Sequence, residues 1–245
     1  MSHSPYPLFQ RLIAIFCAIV LAGCSVATQT QHPSLATPSP AATATARTQG
    51  TSDAINRPTS KPYTGNLSVF EDPKRDEKLQ VNRVMDILGI KEGSKVADIG
   101  AGSGWFTVRA ARRVGSTGTV YAVDINRDFL NYIERRAERE KLPNIKTILG
   151  NEDDPLLPRQ TLDAVLLLKT YHEVAQPIRL LERTREAMRP GALLGIIDRN
   201  GKGDDHGINS DVVVNEAGRA GFLLVDQYDF VKGDNVDYFL VLRAK

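Results

Sequence analysis

Along most of the chain, short apolar blocks alternate with amphipathic stretches rich in charge. Seven blocks carry the apolar density expected of strands: 95–99, 119–123, 145–149, 162–168, 192–197, 222–228 and 236–242. The fourth, Leu162-Asp-Ala-Val-Leu-Leu-Leu168, is almost unbroken, as in a central parallel strand covered on both faces. Between the blocks, residues 105–114, 127–141, 177–188 and 211–220 carry helical patterns, and Arg189-Pro-Gly191 breaks the third of these. An earlier helix over 74–88 places Leu79, Val84, Ile87 and Leu88 among charges and is closed by Gly89. Alternation of this kind predicts an α/β fold: a doubly wound, seven-stranded, mostly parallel sheet with helices on both faces. Only residues 229–235 separate the last two strands, too few for a crossover helix, so the final strand is expected to be antiparallel. Ligands of such sheets bind beyond the carboxyl ends of the strands, where strand order reverses.

The first 62 residues follow different rules. Arg11 precedes an unbroken apolar run of 11 residues, Leu12 to Ala22, far below the roughly 20 that a membrane-spanning helix requires. Leu21-Ala-Gly-Cys24 then resembles a bacterial lipobox, which implies a signal peptide over 1–23 and lipid on Cys24. Ser25 in place of an aspartate points to an outer membrane where the host has one. An ordinary secretory signal, or a misassigned start codon ahead of a cytoplasmic enzyme, are the alternatives. From Ser25 to Pro62, 25 of 38 residues are Ser, Thr, Ala or Pro, too few of them apolar to offset the entropy of ordering. The expected organisation is therefore signal peptide 1–23, lipidated Cys24 and tether 24–62, and folded domain 63–245, anchored to a membrane in the cell envelope.

Composition removes several function classes. The net charge of +2 does not suggest nucleic acid as a partner. Both cysteines, Cys17 and Cys24, precede the folded part, which leaves it without disulfide, thiol nucleophile or thiolate zinc site. His3, His32, His172 and His206 are scattered without metal-ligand spacing, so no metal is expected. No feature marks a protein partner. The charges of 134–140 read as a solvated helix face, and Trp105, the only tryptophan, as packing.

Candidate chemistry is concentrated where the first strand turns into its helix, at Asp98-Ile-Gly-Ala-Gly-Ser-Gly104. Gly100, Gly102 and Gly104 allow the backbone to approach a ligand closely. The spacing is G-x-G-x-G, with Trp105 at the third-glycine position of a dinucleotide fingerprint, and no Gly-Lys-Ser/Thr follows as in a P-loop.

This segment resembles the first motif, D-x-G-x-G-x-G, of the class I S-adenosylmethionine (AdoMet)-dependent methyltransferases, and the likeness extends over roughly 75–245. The resemblance implies a Rossmann-like methyltransferase fold and AdoMet as cofactor. Asp98 would face the cationic aminoacid end, and Asp124, ending the second strand, would take both ribose hydroxyls. Glu152 or Asp153, after the third strand, would lie near adenine. Ala101, Ile125 and Lys169 complete the expected cofactor set with the three glycines. His172, after the fourth strand, is the candidate base where an acceptor must lose a proton, with Tyr171 and Glu173 as orienting neighbours. Asp198 and His206 are candidates for the acceptor pocket. A small-molecule acceptor is expected, since no added recognition domain or basic patch is visible. Two alternatives stand: an exported ligand-binding module without catalysis, and an NAD(P)-dependent oxidoreductase.

Overall fold

The computed structural model describes residues 55, 57–231 and 236–245. The signal peptide, Cys24 and the tether as far as residue 54 lie outside the described residues. Within them, no helix is long and apolar enough to cross a membrane.

Seven strands form one sheet: β1 (Lys95–Ile99), β2 (Thr119–Asp124), β3 (Ile145–Leu149), β4 (Leu162–Leu168), β5 (Met188–Arg199), β6 (Phe222–Tyr228) and β7 (Asp237–Ala244). Their order is β3-β2-β1-β4-β5-β7-β6. The first five pair in parallel, and β7 is antiparallel to both β5 and β6, as the short connection demands. Chain order therefore reverses between β1 and β4, and the residues that follow these two strands face a common crevice.

Side-chain alternation divides the sheet into two apolar faces. Ala97, Val165, Leu167, Leu194, Ile196 and Leu240 pack on one side with helices α5 (Pro177–Ala187) and α6 (Ser210–Arg219). Val96, Ala164, Leu166, Ile197 and Phe239 pack on the other with α2 (Val81–Ile87) and α3 (Trp105–Val114). Helix α4 (Arg127–Glu140) inserts Leu130 and Ile133 against Ala101 and Ala122.

The single helix expected over 74–88 is two. Gln80, at φ 45°, stands in the left-handed region between α1 (Arg75–Leu79) and α2, and its N–H caps the carbonyls of Asp76 and Glu77. Apolar periodicity continues across the break, which is why it is invisible in the pattern. The break expected at 189–191 is instead the start of β5, which begins irregularly with Gly191 at φ 83°.

The packed chain also begins upstream of residue 63. Arg57 makes a two-pronged ion pair with Glu216 at 2.8 and 3.1 Å, with both side chains nearly buried. Ser60 donates its N–H to the His172 carbonyl and its hydroxyl to the Gly203 carbonyl.

Candidate functional site

A cavity of about 560 Å³ lies at the carboxyl ends of β1, β2 and β4. The glycine turn forms its floor. At Gly100, φ is 73°, and a Cβ would stand 2.3 Å from the Thr170 side chain, so only glycine lets the exit of β1 abut the exit of β4. Gly100 and Ala101 donate to the Val123 carbonyl. Gly102 donates its N–H to Asp124 Oδ2 at 2.9 Å, and Asn126 donates to Oδ1 at 2.9 Å. Asp124 thus ties the turn to the end of β2. Capping of α4 falls to Asn126, whose side chain accepts from the Asp128 N–H.

Electrostatics set the character of this end of the cavity. Burial pushes the Asp98 carboxyl up to about 6, opposed by the Thr107 hydroxyl, which donates to it at 2.6 Å, and by the charge of Arg75. Burial also raises Asp124, against hydrogen bonds from backbone N–H groups. Arg75 offsets the burial of Asp98 only in part, and burial outweighs the backbone hydrogen bonds to Asp124, so this end of the cavity suits a positively charged ligand. Arg75 lines the cavity as well, with its guanidinium over the Trp105 ring at 4.5 Å and donating to the Phe70 carbonyl. Ser103 Oγ and Trp105 Nε1, both in the lining, are buried without a hydrogen-bond partner. Buried polar atoms of this kind are normally satisfied, so their position on a cavity marks them for a polar ligand.

The residues singled out from sequence separate into two groups. Asp98, Gly100, Ala101, Gly102, Asp124, Ile125, Glu152 and Lys169 converge on the one cavity. Gly104 does not line it; at φ 72° it starts α3 and abuts Ile133. Asp153 turns away to pair with Arg179 at 2.9 Å, which leaves Glu152 as the acidic group after β3 that faces the cavity. Lys169, at φ 57°, reaches Asp237 at 2.6 Å.

In the segment after β4, the carboxylate that faces the cavity is Glu173, and burial raises it to about 7. His172 is itself buried outside the lining. Its Nδ1 lies 2.9 and 3.0 Å from the two oxygens of Asp198, which also accept the His172 backbone N–H. Asp198 is wholly buried and is a partner of His172 rather than a wall of an acceptor pocket. Tyr171 points the other way. Its hydroxyl donates to Glu216 at 2.8 Å, and burial among carboxylates raises it well above its ordinary range, so it orients nothing in the cavity. His206 stays outside the lining, but its ring stands edge-on to His172 with centroids 5.8 Å apart.

Arg75, Ser103 and the stretch 59–64 escaped the sequence reading. Arg75 sits in a helix whose charges look solvated, and 59–64 continues the composition of a tether. Trp105 carried a signal, as the only tryptophan directly after the glycine turn. Arg136 also departs from the solvated face expected of α4. It is buried, grips Glu71 and donates to the Ser103 carbonyl at 3.0 Å, bracing the turn from behind.

Sheet order, glycine turn and paired acidic residues after β1 and β2 define a Rossmann-like methyltransferase fold. Residues 96–191 match the family described as "Methyltransferase domain". A SAM dependent methyltransferase from Aquifex aeolicus superposes with a TM-score of 0.66 at 26% identity, covering 72% of this chain and 95% of that one. Among curated proteins, 2-phytyl-1,4-naphtoquinone methyltransferase of Trichormus variabilis is 33% identical over 111 residues, 45% of this chain and 48% of the relative. Demethylmenaquinone methyltransferase of a Geobacillus strain is 27% identical over 107 residues, 44% of this chain and 46% of the relative. The chain spans about half the length of these curated relatives.

Proposed function

We propose that the protein is an AdoMet-dependent methyltransferase acting on a small-molecule acceptor. The carrying observation is the convergence of Asp98, Asp124 and Glu152, from the ends of three neighbouring strands, on one cavity floored by a glycine turn. When bound, AdoMet supplies a methyl group activated by its sulfonium charge. Asp98, which burial raises to about 6, would hold the ammonium, and that cation would stabilise its ionised form. Asp124 retains lone pairs beyond those accepting from Gly102 and Asn126, and these suit the ribose hydroxyls. Glu152 faces the adenine end. Arg75 is placed to meet the carboxylate of the same ligand, and the Trp105 N–H and Ser103 hydroxyl are satisfied by its polar edges.

Alignment is then the main catalytic contribution, because methyl transfer is an in-line displacement. The wall after β4, with Thr170, Glu173 and Val174, faces the acceptor side. The apolar lining from Phe70, Ile99 and Phe129 suits a flat, largely apolar acceptor, in line with the naphthoquinone named for one relative. We also propose the envelope address through lipid on Cys24, which requires AdoMet to reach the exported domain. Titration of the full chain with AdoMet and with NAD tests the reading. Micromolar binding of AdoMet that is lost in Asp98→Ala/Asp124→Ala supports it. Binding of NAD alone overturns it.

A further inference from the structure

The fold assembles a group of residues that sequence spacing keeps apart. His172 and His206 are separated by 34 positions, yet one ligand atom from each, together with one from Glu173, lie within 4.8 Å of one another. We propose that His172, Glu173 and His206 form a site for a first-row divalent transition metal at the edge of the cavity, with Asp198 as the positioning residue behind His172.

Three observations converge on it. First, the buried Asp198 carboxylate receives His172 Nδ1 at 2.9 and 3.0 Å. That contact fixes the tautomer with the proton on Nδ1 and leaves the Nε2 lone pair for a ligand bond, the arrangement in which metal-binding histidines are held by a carboxylate. Second, Nε2 points toward Glu173, whose Oε1 is 3.9 Å away, a separation that a bridging ion spans with modest side-chain movement. Third, His206 is held in the left-handed region, at φ 59°. Its N–H donates to Ser60 Oγ, and Gly203 donates to the Gly207 carbonyl, so two bonds fix the loop that presents the imidazole beside His172.

Two imidazoles and one carboxylate are the donor set of zinc, iron(II), cobalt(II) and manganese(II), not of magnesium or calcium, which prefer oxygen. Three protein ligands leave at least one coordination position for water or substrate. Glu173 is the member that lines the cavity, so an ion held by the three would stand at the cavity edge. Metal binding itself does not depend on the methyl-transfer reading. Coordination of an acceptor oxygen in the open position does.

The test uses the untagged full chain, stripped with chelator and titrated with Zn²⁺ in competition with a chromophoric chelator, alongside the visible absorption of Co²⁺. The expected result is one ion per chain and a four- or five-coordinate Co²⁺ spectrum, both lost in His206→Ala. His206 is exposed, so this variant keeps its fold, which circular dichroism checks. Asp198→Asn is expected to keep the stoichiometry and weaken affinity roughly 10–100-fold. Stoichiometric binding that survives both His206→Ala and Glu173→Gln overturns the proposal. So does the absence of competitive binding in the folded wild-type chain. AdoMet titration of the same samples reads the methyltransferase proposal separately.

Discussion

At the residue scale, Asp98 is held against its own charge. In the unfolded chain its carboxyl titrates near 3.8; in the folded protein it does so at about 6. Between these values the folded state keeps a proton that the unfolded state has lost. Stability from this group is thus fully present below pH 3.8 and is lost as pH rises through about 6. The difference corresponds to roughly 3 kcal/mol. Asp98→Asn retains an acceptor for the Thr107 hydroxyl and removes the buried charge, so it is expected to raise the stability of the ligand-free protein at pH 7.5 by roughly 1–3 kcal/mol while abolishing AdoMet binding. In the wild type, AdoMet affinity is expected to fall as pH is lowered through 6. Thermal melts at pH 5 and 7.5, with matched titrations, check both. A variant less stable at both pH values would show that Asp98 stabilises the empty fold.

Elements impose a second constraint, where the exits of β1 and β4 meet. A methyl group at Gly100 meets Thr170 and also demands a left-handed φ from an L-residue. The backbone part costs about 1–2 kcal/mol and the overpacking about 1–3 kcal/mol. Gly100→Ala is accordingly expected to lower stability by about 2–5 kcal/mol in urea melts and to close the floor of the cavity. Gly100→Ala/Thr170→Gly should recover the packing part only, leaving the backbone part as a residual loss. The elements themselves were legible in sequence because period and composition are local properties. The boundaries of α3, β1, β3, β4 and β6 coincide with the expected ones. Gln80 was not legible, since a left-handed residue in mid-helix is stabilised by capping bonds that leave no mark on periodicity.

For the whole molecule, the N-terminal stretch from Arg57 is a structural part of the domain. Most ion pairs here, such as Lys78 with Asp72, are exposed and contribute at most about 1 kcal/mol. Arg57 with Glu216 is nearly buried and also receives the Tyr171 hydroxyl. Arg57→Ala leaves Glu216 buried without its cation, at a cost of about 3–5 kcal/mol. Chemical denaturation is expected to show that loss, with much of it recovered in Arg57→Ala/Glu216→Gln. A chain starting at residue 63 should show the same fall and retain AdoMet poorly, since 59–64 line the cavity. An unchanged midpoint in that chain would mean that the stretch only rests on the surface.

Sequence alone determined the sheet class, the antiparallel last strand, the glycine turn and the acidic residues at the ends of β1 and β2. Each follows from local pattern or from a motif within a few residues, where covalent spacing decides geometry. Tertiary structure decided the rest. It chose Glu152 over Asp153 by giving Asp153 an arginine. It turned Tyr171 toward Glu216, placed Asp198 behind His172, brought Arg75 and Trp105 to the cavity, and set His206 beside His172. These pairings join residues 26 to 45 positions apart, or choose between adjacent side chains by which neighbour each one meets. Burial and long-range contact, absent from any local window, are the physical reason that they appear only when the chain is folded.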